Sequence, residues 1–306
     1  MRRRSFLRRG AAVGAGASLA APLVAASGGQ HPESFLSKQI TSDAFPHHKP
    51  GRGIPVVQQS VSRWCYGYLS LDELLPKLRN FGLSAIDLIR PSEFELLKSH
   101  GFTCSMAYGR EEEDITTGFI DEALHDGLVS AYAKTIPTLA EYGYKNLVCF
   151  AGNRRGMNDL DGLRTAAKGL RRLMPIAKEH GVTLQMEAFN SKVDHPDYMG
   201  DSTSWLVTLC DLVDSDHFKI LWDIYHMAVQ EGNVIATIQQ YHDYFGHYHT
   251  AGLPGRHELN EEQELYYPAV MRAIRATGYR GYVAHEFIPT YEEKLDGLRE
   301  AIRVCS

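Results

Sequence analysis

Cysteine is scarce in this sequence and shows no pairing. Cys65, Cys104, Cys149, Cys210 and Cys305 are scattered without a paired spacing, so no disulfide framework is expected. Cys104, Cys149 and Cys210 sit in apolar surroundings that suit buried thiols. A Gly-rich dinucleotide fingerprint is missing after the first strand-like segment, which argues against a doubly wound open sheet. Positive charge is also in deficit, with 32 Lys and Arg against 37 Asp and Glu. That balance argues against a nucleic-acid partner and leaves small polar substrates open.

Arg3-Arg4-Ser5-Phe6-Leu7 resembles a twin-arginine export signal, and a mildly apolar Gly/Ala-rich stretch runs from Gly10 to Ala26. So much Gly and Ala makes weak bilayer-spanning material, so a signal peptide over 1–26 is expected rather than a stable membrane anchor. Val24 and Ala26 suit cleavage before Ser27. Export by the twin-arginine translocase would place the protein, already folded, in a periplasmic or other extracytoplasmic compartment, and any metal ion it carries would load in the cytoplasm. Arg2, Arg3, Arg4, Arg8 and Arg9 leave with the signal, so 27 basic residues remain against 37 acidic, a net charge of about −10. Residues 27–53 are polar and aperiodic and read as a linker or N-terminal arm, with His47 and His48 as surface residues.

From residue 54 to 306 the chain alternates strand-like and helix-like segments eight times. The strands read as Pro55 to Val61, Ala85 to Ile89, Thr103 to Tyr108 and Asn146 to Phe150, then four more in the second half. The first helix opens at Ser70, where Ser70 and Glu73 form a capping box, and closes at Gly82. Helices follow from Ser92 to His100, from His125 to Tyr142 with Pro137 as a kink, and from Leu160 to His180. The last four are expected over Thr203 to Val213, Val234 to Tyr244, Pro268 to Thr277 and Glu292 to Val304. Gly recurs after the helix at positions 82, 101, 143, 181 and 278, which supports one common unit. The expected fold is an α/β (β/α)8 barrel.

Four strand-like segments in the second half end in residues able to hold a divalent metal. They are Thr183-Leu184-Gln185-Met186-Glu187, Ile220-Leu221-Trp222-Asp223, Gly246-His247-Tyr248-His249 and Val283-Ala284-His285-Glu286. Side chains alternate along a strand, so Glu187 shares its inward face with Gln185, and His249 with His247, while His285 turns outward. Barrel chemistry sits at the C-terminal ends of the strands, where all four candidates fall.

Glu187-Ala188-Phe189-Asn190, Asp223-Ile224-Tyr225-His226-Met227, His247-Tyr248-His249, Pro254-Gly255-Arg256-His257-Glu258 and Glu286-Phe287-Ile288-Pro289 resemble hydroxypyruvate isomerase and its relatives among the xylose-isomerase-like TIM barrels. The resemblance runs from about Val57 to Ile302. It implies a metal held by Glu187, Asp223, His249 and Glu286, with His226, Arg256 and His257 lining the substrate pocket. Hydroxypyruvate isomerases usually have Gln as the third ligand, whereas His249 matches the ketose epimerases. Three oxygens and one imidazole suit Mn²⁺, Mg²⁺ or Co²⁺, with Zn²⁺ open.

The implied chemistry moves a carbonyl along an α-hydroxy-carbonyl skeleton through a metal-stabilised enediolate. Glu187 and Glu286 are the expected acid/base pair. One active base favours isomerisation, and two on opposite faces permit epimerisation. Trp64, Tyr66 and Tyr108 are expected to wall the pocket; Lys192, with Asn153, Arg154 and Arg155, is a candidate polar contact. The expected substrate is a small sugar or hydroxy-keto acid. A lyase or hydrolase acting on oxidised glycosides and a non-catalytic sugar-binding protein are the alternatives, and homo-oligomerisation is left open.

Overall fold

A computed structural model describes residues 57–306. The export signal over 1–26 and the arm over 27–53 lie outside the described residues. The first half runs β1 (Gln58–Val61), α1 (Leu71–Asn80), β2 (Ala85–Ile89), α2 (Phe94–Ser99), β3 (Thr103–Tyr108), α3 (His125–Glu141) and β4 (Asn146–Cys149). The second runs α4 (Asp159–Arg171), α5 (Met174–His180), β5 (Thr183–Glu187), α6 (Thr203–Val213), β6 (Phe218–Asp223), α7 (Ile224–Gln230), α8 (Val234–Tyr241), β7 (Phe245–Thr250), α9 (Tyr267–Ala276), β8 (Tyr282–His285) and α10 (Lys294–Cys305).

The eight strands form one parallel sheet in the order β1-β8-β7-β6-β5-β4-β3-β2, and a parallel bridge between Ser62 and Asp87 brings its two edges together. The expected (β/α)8 barrel is thus what the chain adopts. Local signals account for much of it. Ser70 caps α1 in a reciprocal box with Glu73. Gly82, Gly101, Gly143, Gly181 and Gly278, each just past a helix, all take positive φ, the backbone region where a Cβ is penalised. The outward-facing Val182, Leu184 and Met186 are fully buried under the helices.

Two helical regions differ from the expected ones. The helix expected from Leu160 to His180 is two helices, because Pro175 in the first turn of α5 lacks an N–H and its ring excludes the carbonyl of Arg171. No loop follows β6: the chain passes directly into α7, with Asp223 as its N-cap accepting from the His226 N–H at 2.9 Å. Pro137 lies inside α3, which continues to Glu141.

The barrel interior is polar. Ser105 Oγ is 2.8 Å from both Ser60 Oγ and Asp87 Oδ2, and Gln185 Nε2 donates to Asn146 Oδ1 at 3.0 Å. Pairing of β6 with β7 slips at Gly246, where a Cβ would lie 2.6 Å from Gln185 Oε1. That glycine bulge lets Gln185 reach across and keeps His247 and His249 on the inner face. All five cysteines are buried and free. Among the described residues no helix is long and apolar enough to cross a membrane.

Tyr198 ties β4 and β5 together at the site end of the barrel. Its hydroxyl accepts from the Ala151 N–H at 2.9 Å and donates to the Glu187 carbonyl at 3.1 Å, all in the core. Tyr198→Phe leaves two buried backbone groups unpaired and is expected to destabilise the fold by about 1–3 kcal/mol in urea unfolding. An unchanged midpoint would show that this tie is unimportant.

Candidate active site

Glu187 ends β5, Asp223 ends β6, His249 is the fifth residue of β7 and Glu286 directly follows β8. Parallel pairing sets Asp223 beside His249, and the Glu286 N–H donates to the Thr250 carbonyl at 2.9 Å. Four consecutive strand ends therefore deliver four side chains to one point. All four are buried, with one potential ligand atom from each lying within 4.8 Å of the others. His249 Nδ1 stands 3.0 Å from Glu187 Oε1, 2.9 Å from Glu286 Oε2 and 3.9 Å from Asp223 Oδ2.

Arg256, from the loop after β7, adds a cation. Its Nη2 is 2.5 Å from Glu286 Oε2 and 3.7 Å from Asp223 Oδ2. Its guanidinium lies over the Trp64 ring at 5.3 Å, and Trp64 Nε1 donates to Glu286 Oε1 at 2.6 Å. Both Glu286 oxygens are thus held. Glu187 has a side-chain bond only on Oε1 among the described residues.

Crowding of buried charge perturbs every group. Burial, then repulsion from Glu286, pushes Glu187 up to about 7. Burial likewise raises Asp223 to about 6, against the pull of Arg256. Burial would also raise Glu286, but the His249 and Arg256 charges, with hydrogen bonds from His249 and Trp64, outweigh it and hold the carboxylate below its usual range. For His249 burial opposes protonation, yet Glu286, Asp87 and Glu187 together raise its pKa well above that of a free imidazole.

The donor set fits a divalent cation. Three carboxylates and an imidazole are ligands for a hard or borderline ion, and no thiolate belongs to the cluster. Asp223 Oδ2 is buried without a hydrogen-bond partner, an arrangement that is unfavourable unless a cation takes it. Glu187, Asp223, His249 and Glu286 are the residues that would hold it.

A cavity of about 220 Å³ opens over this cluster. Trp64, Tyr108, Glu187, Arg256 and Glu286 line it, and Leu88, Ile115, Phe150, Phe189 and His195 complete it. Several expected pocket residues are placed elsewhere. His226 is buried beneath the site, its Nδ1 accepting from Asn190 Nδ2 at 2.7 Å and its Nε2 lying 3.8 Å from Asp223 Oδ2. His257 is exposed and bonded to the Ile288 carbonyl, because the turn at Gly255 and Arg256 presents Arg256 inward in its place. Lys192 is exposed and spans 2.6 Å to the Gln230 carbonyl at the end of α7. Tyr66 is core, and Arg154 is tied to Asp159 and Asp201.

Sequence reading missed His195 and Asp87. His195 packs against Phe189, with centroids 4.4 Å apart and the rings tilted by 32°, and only its place in the loop after β5 pointed to it. Asp87 carried a clearer sign, a charge inside the apolar strand Ala85–Ile89, and it sits 2.9 Å from His249 Nε2 and 2.8 Å from His247 Nε2. His285 is no ligand: it faces outward to Thr250 and Gln59, as alternation predicts.

Residues 81–305 match the xylose isomerase-like TIM barrel family, and the chain belongs to it. Its relatives are isomerases and epimerases. It is 27% identical over 152 residues (49% of this chain, 55% of the relative) to a Danio rerio protein named "Putative hydroxypyruvate isomerase". It is 30% identical over 119 residues (39% and 44%) to the 2-oxo-tetronate isomerase of Pectobacterium atrosepticum. It is 27% identical over 205 residues (61% and 74%) to the 3-dehydro-D-guloside 4-epimerase of Escherichia coli. The chain spans about half the length of the first two of these relatives. In fold it is similar to the apo crystal structure of 3-keto-D-glucoside 4-epimerase from E. coli, with TM-score 0.69 and 20% identity over 82% of this chain and 100% of that one.

One divalent ion per chain is the expected result of metal titration, with Asp223→Asn binding much more weakly. The raised carboxylates set the sign of the pH dependence. Protonated Glu187 and Asp223 must lose their protons to bind a cation, so affinity falls as pH drops through about 7 and then about 6. Calorimetry in buffers of differing ionisation enthalpy should register proton release near neutral pH; pH-independent affinity between 5 and 8 would contradict this.

Proposed function

We propose that this protein is a divalent-metal-dependent isomerase or epimerase of a small, uncharged keto-sugar, acting by proton transfer at a carbon next to the carbonyl. The observation that carries the reading is that two carboxylates on separate strands, Glu187 and Glu286, line one small cavity beside an imidazole and a further carboxylate. A bound divalent ion would supply positive charge for the oxygen on which negative charge develops as the neighbouring carbon loses its proton.

The protein's own groups divide the remaining work. Glu187, whose Oε2 has no protein hydrogen bond among the described residues, is the better placed to take a proton from substrate carbon and return it. Glu286 is oriented by Trp64, Arg256 and His249 and is the second carboxylate that epimerisation needs. Tyr108 keeps its proton because burial raises its pKa, so it remains a hydrogen-bond donor to a hydroxyl or carbonyl. Phe150 and Phe189, stacked with centroids 6.0 Å apart, give an apolar wall that excludes water.

Charge selects among the substrates. Among the described residues Arg256 is the one Arg or Lys lining the cavity, and Glu286 and Asp223 already occupy it, which leaves no free side-chain cation there for a carboxylate or phosphate. An uncharged keto-sugar is therefore favoured over a hydroxy-keto acid. The volume of about 220 Å³, below the roughly 300–1,000 Å³ of pockets for drug-sized ligands, suits one small unit. A keto-glycoside is the second substrate class, favoured by Trp64, which lines the cavity yet is 41% exposed and leaves an aromatic face for a further ring.

The test is proton exchange in D₂O with the metal-loaded protein, using free ketoses, 3-keto-glucosides and hydroxypyruvate. Deuterium should enter the carbon next to the carbonyl of an uncharged sugar. Glu187→Gln should slow that exchange by roughly 10²- to 10⁴-fold when assayed with enough added metal to load the weakened site. Exchange at the wild-type rate in a metal-loaded Glu187→Gln protein would remove Glu187 as the base, and turnover of hydroxypyruvate alone would overturn the substrate class.

A further inference from the structure

Asp87 is the least expected charge in the molecule. It lies in β2 between apolar residues, fully buried, where packing gives no reason for a carboxylate. It is surrounded by partners from three other strand regions of the barrel. His249 Nε2 is 2.9 Å from Oδ1, His247 Nε2 2.8 Å from Oδ2, Ser105 Oγ 2.8 Å from Oδ2 and Ser62 Oγ 3.5 Å from Oδ1. The strand is irregular at this point. Pairing of β2 with β3 shifts on both sides of Asp87, and Leu88 takes a φ of 53°, a left-handed conformation unfavourable for a branched side chain. A bulge re-aims side chains, and here Asp87 is turned beneath His249 while Leu88 lines the cavity.

We infer that Asp87 is a positioning residue for the candidate metal centre: it holds His249 with the proton on Nε2 and the Nδ1 lone pair turned toward Glu187, Asp223 and Glu286. The inference rests on the metal-centre reading above. An ionised carboxylate only accepts hydrogen bonds, so the imidazole nitrogen facing it must be the one that carries hydrogen. Nδ1 faces Glu187 and Glu286 and carries hydrogen too while His249 is cationic; a divalent cation would displace that proton, and the one left on the ring is then the Nε2–H held by Asp87. His247 Nε2 stands 2.8 Å from the other Asp87 oxygen without hydrogen-bond geometry, so its pull on the carboxylate is electrostatic, while Ser105 supplies the hydrogen bond on that side. His247 itself touches none of the three acidic ligands in the hydrogen-bond network, which makes its contribution indirect, through Asp87.

Two measurements test this. In protein loaded with diamagnetic Mg²⁺ or Zn²⁺, long-range ¹⁵N–¹H correlation should show His249 protonated at Nε2 and not at Nδ1. Calorimetric titration with Mn²⁺ should show Asp87→Asn and Asp87→Ala binding roughly 10- to 100-fold more weakly than wild type. Ser105→Ala, which removes a partner of Asp87 without touching His249, should weaken binding less than either. A His249 protonated at Nδ1 in the loaded wild type overturns the inference, and that spectrum decides even if the Asp87 variants fail to fold. Folded Asp87→Asn binding Mn²⁺ within about twofold of wild type also overturns it. A wild type that binds none of these ions removes the metal centre as well, a result distinct from failure of Asp87 alone.

Discussion

Repulsion among buried carboxylates is the constraint on which the rest of this structure depends. Glu187, Asp223 and Glu286 converge at one point out of water, and Asp87 adds a fourth negative charge below them. Desolvation alone would drive protons onto all of them. Two cationic groups divide the burden: His249 stands between Glu187 and Glu286, and Arg256 covers Glu286 and approaches Asp223. Asp223 Oδ2 still has no hydrogen-bond partner. The site concentrates more acceptor capacity than the protein satisfies, which is the property of a cation-binding site.

Architecture explains why the charge can be gathered there. Parallel strands aim their C-terminal ends at a single rim, so β5 to β8 can each deliver one side chain of the cluster without distorting the backbone. Where the chain departs from regularity, the departures serve the site. The Gly246 bulge keeps His247 and His249 inward, and the irregularity at Asp87 and Leu88 sets a carboxylate under the imidazole. Below, serines, Asn146 and Gln185 bond across the barrel, so the polar interior is continuous with the site it supports.

The cavity walls then select among family chemistries. Arg256 is bound to the acidic cluster, while Trp64, Phe150 and Phe189 present aromatic surface. That combination suits hydroxyl-bearing carbon with apolar C–H faces better than a second anion. His226, matched by resemblance to a substrate contact, instead packs between Asn190 and Asp223 and steadies the start of α7.

Strand alternation and the residue at each strand end were enough to mark Glu187, Asp223, His249 and Glu286 from sequence. They were also enough to turn His285 away, because both signals depend only on neighbours along the chain. The capping box at Ser70 and the glycines after the helices were legible for the same reason. Asp87 was not: it meets His249 across 162 positions, and periodicity says which face a residue takes, never what stands opposite. Bulges widen that gap, since one extra residue shifts the phase of every later residue in the strand. The departures of Lys192 and His257 from the cavity, and the direct passage of β6 into α7, were likewise decided by tertiary packing, because loop direction is set by what the loop lands on. Sequence by itself determined the barrel and the four candidate side chains that converge at its rim. The carboxylate behind His249, the neutralisation of Arg256 and the size of the cavity were decided only when distant strands closed into one interior, where charges with no local relation must be paired.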